Sequence, residues 1–194
     1  MDCEKVGKII RKLRLEKQFT QQSLAERLHL SDRTISKWEC GLGCPDVSLL
    51  PELSRQLGAD IHQLLEGDLS PNSTDGGNMK RIKFYRCPLC GNIMTMTGEA
   101  KVSCCGRQLS SMEIQAADAQ HALHIELVED EYYITFAHPM TKDHYISFFA
   151  CVGCDRILLV RLYPKQGSEV RIPRLAGRPD FYIGCNQHGL WKSC

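Results

Sequence analysis

Residues 136–149 read FAHPMTKDHYISFF and place two histidines, His138 and His144, on either side of a Pro-Met pair. Proline lacks the backbone N–H that a helix interior requires, so this stretch predicts a turn rather than a helix. The residues after His144 are aromatic and β-branched, which is typical of a strand. The stretch is therefore expected to present two imidazoles from a turn at the edge of a β-structure.

A second cluster, CNQHGLWKSC, occupies residues 185–194, and a further histidine, His121, precedes a run with strand character. Cys185 and His188 share one loop that can direct both side chains at one ion. Any one of these histidines alone is more often a structural residue than a ligand. Taken together, four imidazoles and one thiolate suit a borderline-soft divalent metal such as iron(II), and five ligands leave one octahedral position vacant. A vacant position implies reactivity.

A separate segment, residues 84–109, contains four cysteines in two pairs. The pairs are Cys87 with Cys90 and Cys104 with Cys105. A C-x-x-C turn, relieved by a following glycine, lets two thiolates face one metal, and a second pair across a hairpin completes a tetrahedron. Successive side chains of an extended chain point to opposite faces, so we expect a local distortion at the adjacent cysteines. The spacing leaves iron and zinc both open.

The N-terminal part has a helical pattern instead. FTQQSLAERLHLSDRTISKWECG contains two short helical patterns separated by a His-Leu-Ser turn, with Thr20 and Ser31 as the expected capping residues. The expected buried face consists of Leu24, Leu28, Leu30, Ile35 and Trp38. GDLSPNSTDGGN, residues 67–78, has linker composition and predicts a flexible tether.

The C-terminal part is rich in strand signals. HIELVEDEYYITFA, DHYISFFACVGCDRILLVRLY and SEVRIPRL are short runs rich in Ile, Val, Tyr and Phe, broken by turn residues, and they predict successive antiparallel strands in a sandwich. The expected fold class is therefore multidomain. An all-α helix-turn-helix bundle covers residues 1–66, a flexible linker 67–79, a small all-β metal domain 80–110, and an immunoglobulin-like β-sandwich 111–194.

The amino-acid composition limits the classes of protein to which the chain can belong. With 43% hydrophobic and 24% charged residues among 194, the chain has the composition of a soluble globular protein, and no apolar run approaches the roughly 18 residues of a membrane span. The first residues, MDCEKVGKIIRKLRLEKQ, lack the apolar block of a signal peptide, so we expect a cytoplasmic protein with no membrane partner. A net charge of +1 neither favours nor excludes nucleic acid, because it averages over parts with different roles.

Eleven cysteines are an odd number, and in a reducing compartment clustered cysteines are more often metal ligands or redox groups than disulfides. We therefore expect reduced thiols; oxidised pairs in an exported protein are the alternative. CVGC, residues 151–154, falls at an expected hairpin turn. Its two cysteines could be a redox dithiol or a further metal-binding pair, but a structural role or a chance occurrence is favoured. No role is assigned to Cys3, Cys40, Cys44 and Cys194.

The motifs TQQSLA and TISKWE resemble the helix-turn-helix domain of the lambda-repressor/Cro type, the XRE family, over residues 5–66. The resemblance implies a homodimer that binds double-stranded DNA with the second helix of the motif in the major groove. The side chains implied to face base edges are Asp32, Arg33, Thr34 and Lys37, and the one implied to grip phosphate is Gln21. The family usually has glycine where this chain has His29, a residue type that tolerates positive φ. A helical bundle for dimerisation or protein contact is the alternative interpretation.

The adjacent cysteines followed by glycine resemble the desulforedoxin domain, which implies iron in the four-cysteine site. HPMTKDHYI and CNQHGLW resemble the two signature motifs of the superoxide reductase (desulfoferrodoxin, neelaredoxin) family, and the likeness runs from about Tyr85 to the C-terminus. The resemblance implies a non-haem iron with Cys185 as axial ligand and four equatorial imidazoles, those of His121, His138, His144 and His188. It also implies one-electron reduction of superoxide, with two protons, to hydrogen peroxide, and an external electron donor such as rubredoxin.

Two adjacent positions depart from that family. Before the first histidine ligand the family commonly carries Glu-Lys, whereas this chain has Ala119 and Gln120. Loss of a cation beside the site removes steering of an anion, and Lys142 is not favoured as a substitute. Two hypotheses follow. One is a superoxide reductase that its DNA-binding domain localises or uses for autoregulation; the other is a redox-responsive transcriptional regulator that uses the iron as a sensor with little turnover.

Overall fold

The computed structural model describes residues 2–74 and 76–193. The chain divides into two compact units, Met1–Pro71 and Asn72–Cys194, of which the first is helical and the second is built from strands. In the described part of the chain, every helix is too short or too polar to span a bilayer. The fold class is that of a multidomain protein with a helix-turn-helix bundle followed by a β-rich region, as predicted. Cys194 lies outside the described residues.

Within its described residues, the helical unit contains five α-helices and one 3₁₀ turn. They are α1 (Cys3–Glu16), α2 (Gln21–Arg27), α3 (Asp32–Glu39), a 3₁₀ turn (Val47–Leu49), α4 (Leu50–Leu57) and α5 (Ile61–Glu66). The Thr20 hydroxyl accepts a hydrogen bond from the Ser23 backbone N–H at 2.9 Å, and the Ser31 hydroxyl accepts one from the Thr34 N–H at 3.2 Å. Both predicted caps are confirmed, and each satisfies a backbone donor that the first helical turn leaves unpaired.

The core of this unit forms where α1, α2 and α3 meet, and it includes the predicted apolar face. Leu24, Ile35 and Trp38 are buried, and Leu30 is partly buried against them. Gly7 marks the crossing of α1 and α3, because a Cβ there would lie only 1.9 Å from the Trp38 carbonyl oxygen. Close contact between these two helices thus depends on the absence of a side chain. In the turn between α2 and α3, His29 has a φ of 55°, as its place in the motif predicts.

Two N-terminal cysteines correct the expectation of reduced thiols. Cys3, at the start of α1, and Cys44, in the loop after α3, form a disulfide with a Cα–Cα distance of 4.9 Å. That expectation is wrong for this pair. The residues are 41 positions apart in sequence, and they meet only because α1 packs against the end of α3.

In the described part of the second unit, a short 3₁₀ turn (Met79–Arg81) precedes twelve strands. They are β1 (Lys83–Arg86), β2 (Ile93–Met96), β3 (Val102–Cys104), β4 (Arg107–Leu109), β5 (Ile114–Ala116), β6 (Leu123–Val128), β7 (Glu131–Phe136), β8 (Ile146–Val152), β9 (Ile157–Arg161), β10 (Glu169–Pro173), β11 (Asp180–Cys185) and β12 (Gly189–Ser193). Strands β1 and β2 form one hairpin, and β3 and β4 form another.

The other strands build the sandwich. One sheet has the order β10-β7-β6 and the other β5-β12-β11-β8-β9. Inward-facing residues of the two sheets form one core, in which Ile134 and Ile172 of the smaller sheet meet Phe149 and Ile183 of the larger. All pairs in these two sheets are antiparallel except β5 with β12, which is parallel. The prediction of antiparallel neighbours therefore does not extend to β5, a strand that the sequence pattern did not reveal.

The β1–β2 hairpin packs on the outer face of the larger sheet, and the β3–β4 hairpin packs against the β1–β2 hairpin. The Phe84 ring in β1 lies 5.7 Å from the Phe148 ring and 5.4 Å from the Tyr182 ring, measured between centroids. The hairpins' own core is small, with only Tyr85, Cys87 and Leu109 buried within it. Such a core stabilises little by itself, so this region depends on the sheet beneath it and on its cysteine cluster.

Candidate metal centres

The turn between β7 and β8 holds His138 and His144 in fixed positions. The Thr141 N–H donates to the His144 carbonyl at 2.9 Å, and the Thr141 hydroxyl accepts from the His144 N–H at 3.1 Å. The Ile146 N–H contacts the Met140 sulfur at 3.4 Å. A closed local turn of this kind directs both imidazoles toward the same side of the sandwich.

Cys185 is the last residue of β11, and His188 lies in the loop between β11 and β12. The pairing of β11 with β8 shifts register between Gly184 and Cys185, and such an irregularity re-aims the side chain that follows it. Gly184 is required here, because a Cβ would lie 1.9 Å from the Phe148 ring. With glycine at position 184 the strand can pack closely on Phe148, and Cys185 is buried, with 1% of its surface exposed.

Asn186 joins these two loops. Its side-chain oxygen accepts from the Tyr145 N–H at 2.8 Å, and its side-chain N–H donates to the Asp143 carbonyl at 2.8 Å. Its backbone N–H donates to the Tyr145 carbonyl at 3.0 Å, and Gln187 adds a further bond to the Asp143 carbonyl at 2.9 Å. The loop that contains His144 and the loop that contains Cys185 thus form one hydrogen-bonded assembly.

His121 reaches the same place from the segment before β6. Its ring stacks on the Trp191 indole with centroids 4.1 Å apart and an interplanar angle of 8°. Its Nδ1 lies 2.6 Å from a carboxylate oxygen of Asp118, which also accepts from the backbone N–H groups of Gln120 and His121. The hydrogen bond from the His121 ring is the main reason why the pKa of Asp118 is lowered. An ionised carboxylate on Nδ1 leaves Nε2 as the free donor atom.

The structure brings four of the five predicted ligands into one tight group. The donor atoms of His121, His138, Cys185 and His188 all lie within 4.8 Å of one another. His144 is outside that group by this distance, although its ring centroid is 4.5 Å from that of His138 and 4.6 Å from that of His188. His144 therefore borders the cluster on the side of these two rings.

The hydrogen bonds of the imidazoles indicate which nitrogens face the cluster. His138 Nδ1 lies 2.7 Å from the Pro139 carbonyl, while Nε2 of His138 and Nε2 of His144 are buried and have no hydrogen-bond partner among residues 2–74 and 76–193. His121 Nε2 lies 3.3 Å from His188 Nδ1. A buried polar atom without a partner is costly, and a cation shared by these nitrogens would satisfy them all. The donor set fits a metal ion.

The charge state of the imidazoles agrees with that role. Burial lowers the pKa of His138, and burial followed by repulsion from His188 and His121 lowers the pKa of His144. Both rings are therefore held in the neutral form, which is the form that binds metal. The Gln187 backbone N–H donates to the Cys185 sulfur at 3.4 Å.

A second group lies in the two hairpins. The sulfur atoms of Cys87, Cys90, Cys104 and Cys105 all lie within 4.8 Å of one another. The expected distortion at the adjacent pair is present, since Cys105 has a φ of 50° and the following Gly106 a φ of 72°. Gly91 has a φ of 68°, so glycine relieves the C-x-x-C turn as predicted.

The thiols of this group have divergent pKa values. Hydrogen bonds from the Cys90 and Leu89 backbone N–H groups, the former the larger, lower the pKa of Cys87 to about 6 against the effect of burial. Contacts with the other thiols, first with Cys90, raise the pKa of Cys104 and raise that of Cys105 to about 12. Four sulfurs this close cannot all carry charge without a cation, which is the electrostatic condition for a tetrahedral thiolate site.

The two groups are connected through one arginine. Arg86, next to Cys87 in sequence, donates from Nη1 to the backbone carbonyl of Asn186 at 2.8 Å, and Asn186 follows Cys185. Elsewhere, Cys151 is buried in the sandwich core and burial raises its pKa to about 11, whereas Cys154 is exposed. Neither belongs to a metal-binding group within the described part of the chain.

The residues expected to contact DNA cluster around the start of α3. Asp32, Arg33 and Lys37 are exposed, and Thr34 is half-buried with its hydroxyl 2.9 Å from that of Ser31. At the first position of α2, the Gln21 side-chain amide donates to Glu39 at 2.8 Å.

Glu39 also forms a buried ion pair with Arg14, whose Nη2 donates to the second carboxylate oxygen at 2.9 Å. Burial would raise the pKa of Glu39, yet the hydrogen bonds from Arg14 and Gln21 lower it overall. This network joins α1, α2 and the end of α3, and it holds the Gln21 side chain in place.

Comparison with known proteins agrees with this division of the chain. A family model described as helix-turn-helix matches residues 10–64. A desulfoferrodoxin from Desulfarculus baarsii is 30% identical over 122 residues, which cover 59% of this chain and 97% of that protein. The chain belongs to the desulfoferrodoxin family. Its helical unit is an XRE-type helix-turn-helix domain fused to the desulfoferrodoxin part.

Two further relatives match one part each. The HTH-type transcriptional activator BcrR from Enterococcus faecalis is 35% identical over 79 residues, 39% of this chain and 39% of that protein. The crystal structure of the superoxide reductase from Treponema pallidum has a TM-score of 0.52 and 24% identity, and the match covers 58% of this chain and 98% of that one. The latter shows that the desulfoferrodoxin part shares the fold of that enzyme.

Sequence reasoning did not identify the residues that orient the ligands. Asp118 stands three residues before His121, a spacing that lets a carboxylate accept from both the backbone and the ring of the histidine, and this spacing was the available signal. Asn186, within CNQH, is a loop residue whose side chain satisfies two backbone groups of another loop. Only the tertiary structure reveals that role.

We predict that Asp118→Asn weakens metal binding at the histidine-cysteine cluster by about 10- to 100-fold, because the substitution keeps the side-chain shape but removes the charge that fixes the His121 ring. Competition with a chromophoric chelator measures the affinity. Glu126→Gln is the matched control, since Glu126 makes the same type of contact, at 2.9 Å, with the exposed His124 away from the cluster. Equal affinities for the two variants would contradict the role given to Asp118.

Proposed function

We propose that the chain is an iron-dependent superoxide reductase of the desulfoferrodoxin type fused to a sequence-specific DNA-binding domain. The observation that carries the proposal is a pair of buried Nε2 atoms, those of His138 and His144, which have no hydrogen-bond partner among residues 2–74 and 76–193. They lie beside His121, His188 and Cys185. Relatives named desulfoferrodoxin and a fold shared with a superoxide reductase support the same conclusion.

The proposed ligands are Nε2 of His121, His138 and His144, Nδ1 of His188 and the sulfur of Cys185. If these residues hold a ferrous ion, it would supply the one electron that, with two protons, converts superoxide to hydrogen peroxide. The neutral imidazoles add no charge to the site, so the Cys185 thiolate is its principal anionic donor, supported by the Gln187 N–H. Asp118 holds the His121 ring from behind, and Trp191 covers the face of that ring.

The four-cysteine group is proposed to hold iron as well, with zinc as the alternative. An external electron donor, of the rubredoxin kind, is proposed to return the electron to the histidine-cysteine site. The four sulfur atoms lie within 4.8 Å of one another, an arrangement that a tightly bound cation would stabilise. Iron(III) bound to thiolates absorbs visible light and zinc does not, so the colour of the oxidised protein distinguishes the two metals.

The second candidate function is a redox-responsive transcriptional regulator with little turnover. The observation that favours it is the pair Ala119 and Gln120, both exposed and uncharged, where the family commonly carries Glu-Lys. Asp118, the nearest carboxylate in the same segment, contacts the His121 ring and adds negative charge beside the site. A site without a local cation attracts an anionic substrate less strongly, so it favours detection over rapid turnover.

We expect the wild-type protein to react with superoxide, but at least about tenfold more slowly than an Ala119→Glu/Gln120→Lys variant, because the lysine restores steering and charge stabilisation. Pulse generation of superoxide with the reduced protein, followed at the thiolate-to-iron(III) absorption band, measures both rates. Salt should slow the variant more than the wild type.

His144→Ala is the negative control for that experiment, since it removes one proposed ligand and leaves the four-cysteine group intact. A wild-type protein no faster than His144→Ala would refute the reductase proposal. Oxidation by superoxide that is slow and accompanied by a shifted DNA affinity would instead support the regulator.

For the helical unit we propose that a homodimer binds double-stranded DNA through α3, with Asp32, Arg33, Thr34 and Lys37 toward the bases and Gln21 toward phosphate. We expect Arg33→Ala to weaken specific binding by about 10- to 100-fold, through loss of a guanine contact. Fluorescence anisotropy with a duplex from upstream of the protein's own coding sequence measures it, over a range of salt concentrations.

Arg55→Ala is the control, because Arg55 is an exposed arginine on α4, where it pairs with Glu52. The control should bind like the wild type. Binding that is insensitive to salt, or identical for the two variants, would contradict the proposed interface.

A further inference from the structure

The disulfide between Cys3 and Cys44 lies in the DNA-binding unit and has no part in either metal cluster. We propose that these two cysteines are a reversible, peroxide-responsive modification site that locks the DNA-binding unit when it is oxidised. Oxidation of these two thiols by peroxide does not depend on the metal centre. The suggestion that the metal centre is a source of that peroxide rests on the proposed function, whose product is hydrogen peroxide.

The disulfide lies next to the C-terminal end of α3, so it can restrict the movement of that helix. Cys44 lies in the loop that leaves α3, and Cys3 is the first residue of α1. The two helices are already in backbone contact at Gly7 and Trp38. A Cβ at Gly41, just after α3, would lie 3.1 Å from the Cα of Glu4. The bond thus closes the same junction that positions the end of the proposed recognition helix.

Both sulfurs are placed for reaction with a small oxidant. Cys3 and Cys44 are each partly exposed rather than sealed in the core. Cys3 also occupies the first turn of a 14-residue helix, where the helix dipole favours a thiolate, with Asp2 and Glu4 opposing this effect and Lys5 assisting it. Oxidation therefore needs no opening of the helical core.

The reaction balances with peroxide as the sole oxidant. One thiolate attacks an oxygen of hydrogen peroxide, the O–O bond breaks, and a sulfenic acid and hydroxide form. The second thiol then displaces hydroxide from the sulfenic sulfur, an S–S bond forms, and the released hydroxide takes up the thiol proton. In sum, two thiols and one peroxide give one disulfide and two waters. A cellular dithiol reverses the change by thiol–disulfide exchange.

The expected consequence is a stiffer helical unit. A cross-link between residues 41 positions apart restricts the unfolded chain, and on the loop-entropy model this shifts the unfolding equilibrium roughly 100- to 1000-fold toward the folded form. Local opening of the junction between α1 and α3 is suppressed along with global unfolding. Because DNA binds the folded motif, the oxidised unit is the form that is ready to bind.

The test uses the full, metal-loaded chain, reduced with dithiothreitol and freed of the reductant. A few equivalents of hydrogen peroxide are added, thiols are trapped with N-ethylmaleimide, and peptides are analysed by mass spectrometry. We expect a linked peptide of Cys3 with Cys44, and a higher urea midpoint for the helical far-UV signal. Cys3→Ser abolishes both changes, whereas Cys40→Ser, which removes a nearby exposed free thiol, preserves them.

Three results would overturn the proposal. The first is no linked peptide in the wild type after peroxide. The second is a bond that stays closed in a glutathione redox buffer and so acts as a permanent cross-link. The third is a bond that forms with an unchanged urea midpoint.

His144→Ala, run in parallel, separates this proposal from the proposed function. Peroxide is added directly, so the variant should form the same bond even if its metal centre is inactive. Bond formation in the wild type alone would show that the metal centre, rather than peroxide itself, oxidises the thiols, and would contradict the direct reaction. Failure of the superoxide experiment with normal formation of the bond would refute only the proposed function.

Discussion

The main constraint on the C-terminal part is a pair of buried polar atoms that have no hydrogen-bond partner among the described residues. Nε2 of His138 and Nε2 of His144 are buried without a hydrogen-bond partner anywhere in the described ranges, and leaving such groups unsatisfied costs about 1–3 kcal/mol each. Burial also keeps these imidazoles neutral, so their lone pairs are available. A cation shared with His121, His188 and Cys185 would offset this cost, because it would give both nitrogens a partner.

The sandwich supplies the rigidity that such a site needs. Cys185 follows a register shift at the end of a fully paired strand, and Gly184 keeps that strand close to Phe148. Asn186 then joins the loop of Cys185 to that of His144 through hydrogen bonds to backbone groups. The four histidines of the proposed site lie outside the strands and Cys185 ends β11, but each segment is fixed to the sheet or to its neighbour, so the cluster forms without adjustment of the core.

Much of this was predictable from the sequence, and the reasons are local. Caps at Thr20 and Ser31 and the distortion at Cys105 follow from neighbouring residues. The sequence pattern also indicates the four clustered cysteines and four of the five residues predicted for the second group, with His144 at its border. What was missed depends on contacts between distant segments. The parallel pairing of β5 with β12 and the meeting of Cys3 with Cys44 require the tertiary fold, which no local pattern encodes. The Glu39 hydrogen bond to Gln21 likewise needs α2 and α3 to be in place.

The central claim is a single iron held by four imidazoles and one thiolate. Iron-edge X-ray absorption on the reduced protein tests it most directly, with Cys87→Ser/Cys90→Ser used to empty the four-cysteine group. The account predicts one sulfur and four nitrogen neighbours around the remaining iron. A shell without sulfur, or a variant that retains no iron while its sandwich is folded, would contradict it.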